Sequence, residues 1–492
     1  MDLDEKIGQL FVVPARGDVV RHVRENHAGG VIWFESTTRA AAELNAQLQS
    51  IARVPLLVSA DLEAGMGMRF TDATWWPSAM AIAATGDSSL AEEEGRVTAR
   101  EALAIGVNHI LAPVADVNVD PQNPVINTRS FGEDPREVAR YVAAFVRGVQ
   151  SEGCLATAKH FPGHGDTRVD SHRALPVLDV TRERLEEVEL VPFRAAIEAG
   201  VASVMMGHLA VPALDDTPAP VRAQFENVYG TQRDEVTRGG ALPATVSPKI
   251  IALLREMGFE GLIITDSFDM GGLAAHFDPG EAAVRAIEAG EDQILFSADT
   301  DAAIAAVRAA VRSGRLSAAR IDESVERILA AKRFLGSSVP RFLGSSAEDA
   351  ARRAVTLVRD DDRLLPLRGG GVTAVVVTDA PEPNPLREAV DELRADRVIT
   401  IDTTSEAIDV DGTVVLLLAL RPISGAGRIA LPRAAQLLAQ RSVIAVSFGS
   451  PYVLREFRTA VCAYGIQPVM QRAAIRAIRG EAPMSGRLPV TL

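Results

Sequence analysis

Residues 155–172 read Leu-Ala-Thr-Ala-Lys-His-Phe-Pro-Gly-His-Gly-Asp-Thr-Arg-Val-Asp-Ser-His. The segment begins as an apolar run, 155–160, that ends in Lys159 and His160. Pro162 and two glycines follow, and neither a helix nor a strand continues easily through such breakers. The pattern therefore predicts a buried strand followed by a loop, and the loop is rich in the side chains that carry chemistry.

The same alternation extends over the first 300 residues. Short apolar runs that end in a polar residue or glycine alternate with longer helical segments rich in Ala, Glu and Arg. Eight runs can be counted, at 10–14, 30–34, 55–61, 108–116, 155–160, 202–208, 261–266 and 292–297. Strands that alternate with helices predict a parallel sheet. Eight of them favour a closed (β/α)8 barrel of the TIM type over the competing open, doubly wound sheet.

Several of these runs end in charged or ionisable residues. They are Asp61, Asp116, the pair Lys159 and His160, His208, and Asp266. Any one of them could be a solvated strand end. Because the active sites of such barrels are built at the carboxyl ends of the strands, the group as a whole predicts a polar site at one mouth of the barrel.

The chain beyond the eighth run predicts a second domain. A helical stretch at 302–334 completes a barrel domain at 1–335, and the string RFLGSS, which occurs twice, indicates a linker at 336–346. Apolar runs and helical segments then alternate again, with runs at 355–359, 372–379, 397–402, 413–420, 443–447 and 461–463. They predict a smaller C-terminal α/β sandwich domain at 347–492.

Composition excludes several classes of protein. The net charge is −14, from 51 Lys and Arg against 65 Asp and Glu, and nucleic-acid binding normally needs a basic face. Cys154 and Cys462 are too few for a disulfide framework or a zinc cluster, and we expect both to be reduced core thiols. The N-terminus lacks a signal-peptide pattern, and no apolar run reaches the length of about 20 residues that spans a bilayer. We expect a cytoplasmic monomer or homodimer with no membrane contact.

The loop at 159–172 leaves three interpretations open. A metal site could use His160, His164 and His172, although the His-x3-His spacing normally serves metal on a helix, which Pro162 forbids. A purely structural loop that caps the barrel is the second. The third is catalysis, because Asp170 next to His172 would fix the imidazole tautomer and raise its basicity, as a general acid/base requires.

A second candidate is Asp266, which ends the run Gly-Leu-Ile-Ile-Thr-Asp at 261–266. A carboxylate there could attack an electrophilic carbon or bind a cation. It could also cap the N-terminus of whatever helix follows.

A third group of polar residues follows the third and fourth runs. Asp61, Glu63 and Arg69 surround glycines, and Arg129 stands in Asn-Thr-Arg-Ser-Phe-Gly-Glu-Asp-Pro at 127–135. Such groups suit hydrogen bonding to sugar hydroxyls, or they form an ion-pair network that stabilises the loops. The adjacent Trp75-Trp76 could stack on a sugar face, although such a pair more often packs in a core.

These segments together resemble glycoside hydrolase family 3, and within it the β-N-acetylglucosaminidases. The loop 159–172, with Arg-Ala-Leu-Pro after it, is similar to the signature loop of that subfamily. Similar segments elsewhere are Leu-Pro-Ala-Thr-Val-Ser-Pro at 242–248, Gly-Phe-Glu-Gly-Leu-Ile-Ile-Thr-Asp at 258–266, 129–135, 446–452 and 486–489.

The resemblance implies a retaining glycosidase that needs no cofactor and no metal. By position, Asp266 would be the nucleophile, and His172, paired with Asp170, would be the acid/base. The residues that would bind the sugar hydroxyls are Asp61, Arg69, Arg129, Lys159, His160 and His208. The substrate implied is a terminal β-linked N-acetylglucosamine in muropeptide or chitin-type fragments, as in peptidoglycan recycling.

Departures from the pattern leave the substrate open. Ala64 stands where the subfamily usually has glycine, Met66 and Met68 are unexpected beside sugar-binding charges, and 220–240 is a long polar insert. A histidine that has given up its proton is neutral and would not repel phosphate, so phosphorolysis is one alternative. Action on β-glucosides is another, and a sugar-binding homologue without catalysis is a third.

Overall fold

The computed structural model of the chain describes residues 1–223, 240–335, 346–379, 385–421 and 429–492. Most of the insert at 220–240 and of the linker at 336–346 therefore lies outside the described residues. The division of the chain into domains at 335 and 347 stays a prediction.

A parallel sheet of eight strands curls into a barrel, which confirms the predicted fold. In the order of the sheet, β7-β6-β5-β4-β3-β2-β1-β8, each strand is hydrogen-bonded to the next. A bridge between Ile264 and Gln293 joins β7 to the start of β8, and the Thr265 N–H donates to the Gln293 carbonyl over 3.0 Å. The strands are β1 (Phe11–Pro14), β2 (Gly30–Trp33), β3 (Leu57–Ala60), β4 (His109–Ile110), β5 (Leu155–Phe161), β6 (Ser203–Met206), β7 (Leu262–Thr265) and β8 (Ile294–Leu295).

The fourth strand is much shorter than the apolar run at 108–116 that predicts it. Pro113 interrupts the run because it has no N–H to donate to a ladder. The chain nevertheless stays beside β5, since the Ala115 N–H donates to the Lys159 carbonyl over 2.6 Å. This irregular continuation carries Asp116 to the mouth of the barrel.

Helices surround the barrel. They are α1 (Leu3–Gln9), α2 (Val19–Arg24), α3 (Thr38–Ile51), α4 (Ala79–Ala84), α5 (Ser89–Ala104), α6 (Pro135–Ser151), α7 (Arg182–Glu187), α8 (Leu190–Glu198), α9 (Pro248–Glu256), α10 (Gly271–Ala274), α11 (Pro279–Ala289), α12 (Thr300–Ser313) and α13 (Ala318–Phe334). The predicted stretch 302–334 is two helices, because Gly314 ends α12 in a left-handed conformation, with φ of +81°, and the Ser317 side chain caps α13.

A second sheet of six strands forms the smaller α/β domain. Its order is β11-β10-β12-β13-β14-β9, and β9 alone is antiparallel to its neighbour. The strands are β9 (Thr356–Asp360), β10 (Val372–Thr378), β11 (Arg397–Ile401), β12 (Thr413–Ala419), β13 (Ile444–Ser447) and β14 (Thr459–Cys462). The helices of this part are α14 (Ala347–Ala354), α15 (Arg387–Leu393), α16 (Arg433–Ala439) and α17 (Pro468–Ile478).

The two sheets are held together by packing and by hydrogen bonds. Met80, Ala81 and Ala84 of α4 belong to the apolar core of the second sheet. The Ser78 hydroxyl donates to the Tyr464 carbonyl over 3.0 Å. The barrel is therefore fixed against the second domain at the side where the loops after β3 and β4 emerge.

Both cysteines are buried and free, as the sequence predicts. Cys154 precedes β5 and Cys462 ends β14, and burial raises the pKa of both thiols. In the described part of the chain, no helix is long and apolar enough to cross a membrane.

Candidate active site

A cavity of about 320 Å³ opens at the carboxyl ends of the barrel strands. That volume lies at the small end of the range for ligand pockets, about 300–1,000 Å³. The structure places seven of the predicted site residues on its wall: Asp61, Arg69, Arg129, Lys159, His160, His172 and Asp266. Residues that lie 205 positions apart in the sequence therefore share one site.

One side of the cavity is a network of ion pairs, here called the mouth cluster: Asp61, Glu63, Arg69, Arg129 and Lys159. The Lys159 ammonium donates to Asp61 over 2.8 Å and lies 2.6 Å from Glu63. Arg129 forms a bidentate pair with Glu63, with both N–O distances at 2.9 Å, and Arg69 donates to Asp61 over 2.8 Å. The cluster spans the carboxyl ends of β3 and β5 and the loop after β4.

The pairing keeps these groups charged. Burial by itself would raise the pKa of Asp61, but Lys159 and Arg69 outweigh it and lower that pKa to about 2. Burial is likewise outweighed at Glu63, where Arg129 and Lys159 hold the carboxyl pKa well below its usual range. Fixed charges of both signs at hydrogen-bonding distance suit sugar hydroxyls, which both donate and accept.

Glu63 belongs to the mouth cluster, although neither the sequence pattern nor the family resemblance predicts it as a sugar-binding residue. It bonds two of the assigned residues, Arg129 and Lys159, and its side chain lines the cavity. Its position two residues after Asp61 was the available signal. Only the fold shows that both carboxylates turn toward Lys159.

Asp116 is a second residue that acts at the site without having been assigned to it. It is fully buried and accepts from the backbone N–H of His164 over 2.7 Å. Its other oxygen lies 2.8 Å from Nδ1 of His160. Asp116 therefore orients His160 and fixes the start of the loop that follows β5.

The loop after β5 is held by its own polar residues. His164 is buried between the hydroxyls of Thr167 and Ser171, at 2.7 and 3.0 Å, and burial lowers its pKa to about 4. The Asn123 amide donates to the His164 carbonyl over 2.8 Å. At Gly165 an added Cβ would lie 1.7 Å from the Val117 carbonyl oxygen, so only glycine allows this close approach.

The three histidines of this loop have three different sets of partners. His160 is bonded to Asp116, His164 to Thr167 and Ser171, and His172 to Asp170. Among the described residues, no group of three or more His, Cys, Asp or Glu side chains could hold a metal ion. The metal interpretation of the loop therefore finds no support in the geometry.

Asp170 and His172 form a dyad at the edge of the cavity. One carboxylate oxygen of Asp170 lies 2.8 Å from Nδ1 of His172 and accepts the His172 backbone N–H over 2.9 Å. The Asp170 side chain is 2% exposed, whereas that of His172 is 17% exposed and reaches the cavity. A proton held on Nδ1 by the carboxylate leaves Nε2 as the nitrogen that exchanges protons.

Asp266 lies across the cavity from the mouth cluster. In a ring of eight strands, β7 and β3 are four positions apart, so the residues that follow them face each other across the mouth. One oxygen of Asp266 accepts the Ser267 N–H over 2.7 Å. Burial raises the pKa of Asp266, but His160, His208 and His172, with that N–H, lower it below its usual value.

The helix-cap interpretation of Asp266 is wrong. The next helix, α10, begins at Gly271, and its N-cap residue is Met270. The Asp266 carboxylate is therefore not used to cap a helix, and it is ionised on the wall of the cavity.

His208 does not reach the cavity, which corrects its assignment as a sugar-binding residue. It is fully buried, and its Nδ1 and Nε2 lie 2.7 Å from the Thr245 hydroxyl and 2.9 Å from the Ser267 carbonyl. Because both ring nitrogens are hydrogen-bonded within the protein, neither is available to bind a sugar hydroxyl. It holds the backbone that follows Asp266.

Of the two tryptophans and two methionines near the mouth of the barrel, one of each is a core residue and one of each lines a cavity. Trp76 and Met66 are core residues. Trp75 is not on the wall of the catalytic cavity; it lines a second cavity of about 300 Å³ between the two domains. Met68 lines both cavities. Stacking of a sugar on both tryptophans is therefore excluded.

Comparison with known proteins identifies the family. The family model described as "Glycosyl hydrolase family 3 N terminal domain" matches residues 2–331 of the chain. The chain is 34% identical to a β-N-acetylglucosaminidase/β-glucosidase of Cellulomonas fimi, over 100% of this chain and 94% of that protein.

Solved structures show the same two-domain fold. A family 3 β-N-acetylglucosaminidase from Paenibacillus sp. str. FPU-7 is similar with a TM-score of 0.85 and 33% identity, over 100% of this chain and 99% of that one. The β-glucoside phosphorylase BglX bound to 2FGlc is similar with a TM-score of 0.86 and 26% identity, over 100% and 94%. The barrel, the cavity and these matches together show that the chain is a glycoside hydrolase and belongs to glycosyl hydrolase family 3.

Proposed function

We propose that the protein is a retaining, exo-acting β-N-acetylglucosaminidase that removes terminal β-linked N-acetylglucosamine from muropeptide or chitin-type fragments. The observation that carries the proposal is the pairing of His172 with Asp170 on the cavity that Asp266 also lines. The names of the Cellulomonas fimi and Paenibacillus relatives support the choice of sugar.

The first half of the reaction forms a bond between the sugar and the enzyme. The ionised Asp266 attacks the anomeric carbon, and the bond from that carbon to the leaving oxygen breaks. Protonated His172 gives the proton on Nε2 to the leaving oxygen, and Asp170 stabilises the imidazolium before the transfer. The products are a glycosyl ester on Asp266 and a free alcohol.

The second half uses the same residues in reverse. Neutral His172 takes a proton from water through Nε2, and the water oxygen attacks the anomeric carbon. The ester bond breaks, and Asp266 leaves as a carboxylate whose lowered pKa favours this form. Two inversions at one carbon give net retention of configuration.

The mouth cluster explains why the enzyme would act on chain ends. With the anomeric carbon at Asp266, the opposite end of the sugar meets Asp61, Glu63, Arg69, Arg129 and Lys159. These side chains are bonded to one another and form the wall at that end of the cavity. A sugar that continued beyond this wall would have to break buried ion pairs, which is costly.

Release of 4-nitrophenol from the β-N-acetylglucosaminide tests the assignment. We expect Asp266→Asn to lower kcat by at least about 10⁴-fold, and His172→Ala by about 10²- to 10⁴-fold. Asp216→Asn, an amide substitution at an exposed carboxylate, is the control and should leave the rate unchanged. NMR of the first product should show the β-anomer. An initial α-anomer, or full activity in Asp266→Asn, would contradict the proposal.

Phosphorolysis is a second candidate, because a phosphorylase is among the similar structures. Neutral His172 would not repel an incoming phosphate as a carboxylate base would. Parallel assays of the acetylated substrate and the β-glucoside, with and without phosphate, separate the possibilities. Sugar 1-phosphate would indicate a phosphorylase, and faster turnover of the glucoside would indicate a β-glucosidase. The predicted cytoplasmic location and the oligomeric state stay predictions.

A further inference from the structure

An aromatic pair on the cavity wall belongs neither to the mouth cluster nor to the catalytic residues. Phe34 follows β2 and Phe296 follows β8, and both rings line the catalytic cavity. Their centroids are 5.3 Å apart, and the rings meet edge to face. Neither residue has a part in the proposed chemistry.

Arg16, which follows β1, completes this group. Its guanidinium carbon lies 5.2 Å from the centroid of Phe34 and 5.8 Å from that of Phe296. β1 lies between β2 and β8 in the sheet, so three adjacent strands supply the three side chains at their carboxyl ends. We call these three residues the aromatic rim.

The charge of Arg16 sets it apart from the cations of the mouth cluster. Arg69, Arg129 and Lys159 are each paired with a carboxylate inside that cluster. Arg16 is exposed, and no carboxylate of the described residues lies within ion-pairing distance of it. Stacking on two rings holds the guanidinium in place while its N–H groups face water.

The aromatic rim spans the cavity wall between Asp266 and the mouth cluster, because β8 is the neighbour of β7 and β2 is the neighbour of β3, and its Phe296 edge lies on the side of the bond that is broken. The Phe268 N–H donates to the carbonyls of Leu295 and Phe296, both over 3.2 Å. Phe296 is thus tied to the segment that carries Asp266, at the reactive end of the cavity. The far end is occupied by the mouth cluster.

We propose that Arg16, Phe34 and Phe296 form the binding site for the leaving group, and that Arg16 selects leaving groups that carry a carboxylate. The proposal rests on the glycosidase function proposed above. A sugar ring offers an apolar face to aromatic side chains. A sugar acid bound on that face would bring its carboxylate to the guanidinium, whose planar N–H groups match it in a bidentate manner.

Two matched disaccharides test this site. In both, a terminal β-linked N-acetylglucosamine is attached to a leaving sugar that carries a carboxylic acid on an ether substituent. The acid is a free carboxylate in one disaccharide and a methyl ester in the other. The wild type should cleave the carboxylate with a kcat/KM about fivefold higher, the upper end for an exposed charge pair. Raising the salt to 1 M should abolish most of this preference.

The variants locate the effect. Arg16→Gln should bring the carboxylate-to-ester ratio to about one, and Arg16→Lys should keep part of the preference, since it keeps the charge but loses the planar fork. Arg455→Gln is the matched control: Arg455 is also exposed, stacks on Tyr452 at 5.5 Å and should leave the ratio as in the wild type.

The results separate this proposal from the proposed function. Hydrolysis of 4-nitrophenyl β-N-acetylglucosaminide by the wild type, with equal rates on the two disaccharides, would overturn the leaving-group site alone. A preference that survives in Arg16→Gln would also overturn it. Failure to cleave any of the three substrates would overturn the proposed function and this site with it.

Discussion

The barrel has an ion cluster at each of its ends, and the two clusters differ in what surrounds them. The mouth cluster lies at the carboxyl ends of the strands and lines the catalytic pocket. The second, here called the amino-end cluster, consists of Asp292 with Arg255, Arg320 and Arg327. Asp292 precedes β8, is fully buried, and also accepts the Ser324 hydroxyl over 3.0 Å and the Ile263 N–H over 3.1 Å.

The two clusters differ in how their charges are arranged and in whether a ligand can reach them. In the amino-end cluster three cations converge on one carboxylate, and protein groups take up its hydrogen-bonding capacity. In the mouth cluster three cations share two carboxylates, with Lys159 paired to both, and the side chains border a space large enough for a sugar. The first arrangement ties helices to strands, whereas the second presents polar groups to a ligand.

The largest effect that separates the two ends is on catalysis. We expect Asp170→Asn to lower kcat by about 10²- to 10⁴-fold, because the amide favours the wrong tautomer of His172. The shape of the dyad is preserved, so the midpoint of thermal unfolding should change little. Steady-state kinetics and a melting curve measure both. A large drop in stability without loss of kcat would make the dyad a structural feature.

The amino-end cluster should show the opposite behaviour. Asp292→Ala removes the fully buried carboxylate that Arg255, Arg320 and Arg327 share, and we expect a loss of about 3–5 kcal/mol in the free energy of unfolding. KM and kcat of the folded fraction should stay as in the wild type, since Asp292 and its three arginines lie at the opposite end of the barrel from the catalytic cavity. Urea unfolding and kinetics on the same preparation check both statements.

A substitution in the mouth cluster should affect binding as well as stability. Glu63→Gln removes the charge that pairs with Arg129 and Lys159, and we expect kcat/KM to fall about 10- to 100-fold, as for a lost charged hydrogen bond. KM should carry most of the change, because Glu63 lies far from the reacting atoms. If kcat/KM were unaffected, the mouth cluster would serve only as a scaffold, like the amino-end cluster.

Acid should weaken the mouth cluster in a defined pH range, and this is the smallest effect. The folded-state pKa of Asp61 is about 2, below its ordinary value of 3.8. A carboxyl with a lowered pKa stabilises the fold above pH about 4, and that contribution is lost as the pH falls toward about 2. The difference in unfolding free energy between the wild type and Asp61→Asn should therefore shrink between pH 5 and pH 2 (roughly the range of the titration).

Local patterns in the sequence predicted most of the architecture. The apolar run at 261–266 predicts β7 and its polar end, and the run at 413–420 predicts β12, because burial on both faces demands continuous apolar residues. The run at 108–116 shows the limit: Pro113 shortened the regular strand to two residues. The prediction of one helical stretch at 302–334 was wrong for a similar reason, because Gly314 ends one helix and Ser317 caps the start of the next.

The residues of the candidate site also divide into those that local sequence patterns predict and those that only the tertiary structure reveals. The sequence alone identified the loop at 159–172, the pair of Asp170 with His172, and Asp266, because spacing along the chain and resemblance to a family are local signals. Only the tertiary structure shows that His208 is bonded to the Ser267 carbonyl away from the cavity, and that Glu63 forms an ion pair with Lys159. It also set Arg16 beside Phe34 and Phe296. Those contacts depend on how eight strands close into a ring, and a ring brings together residues that no pattern in the chain connects.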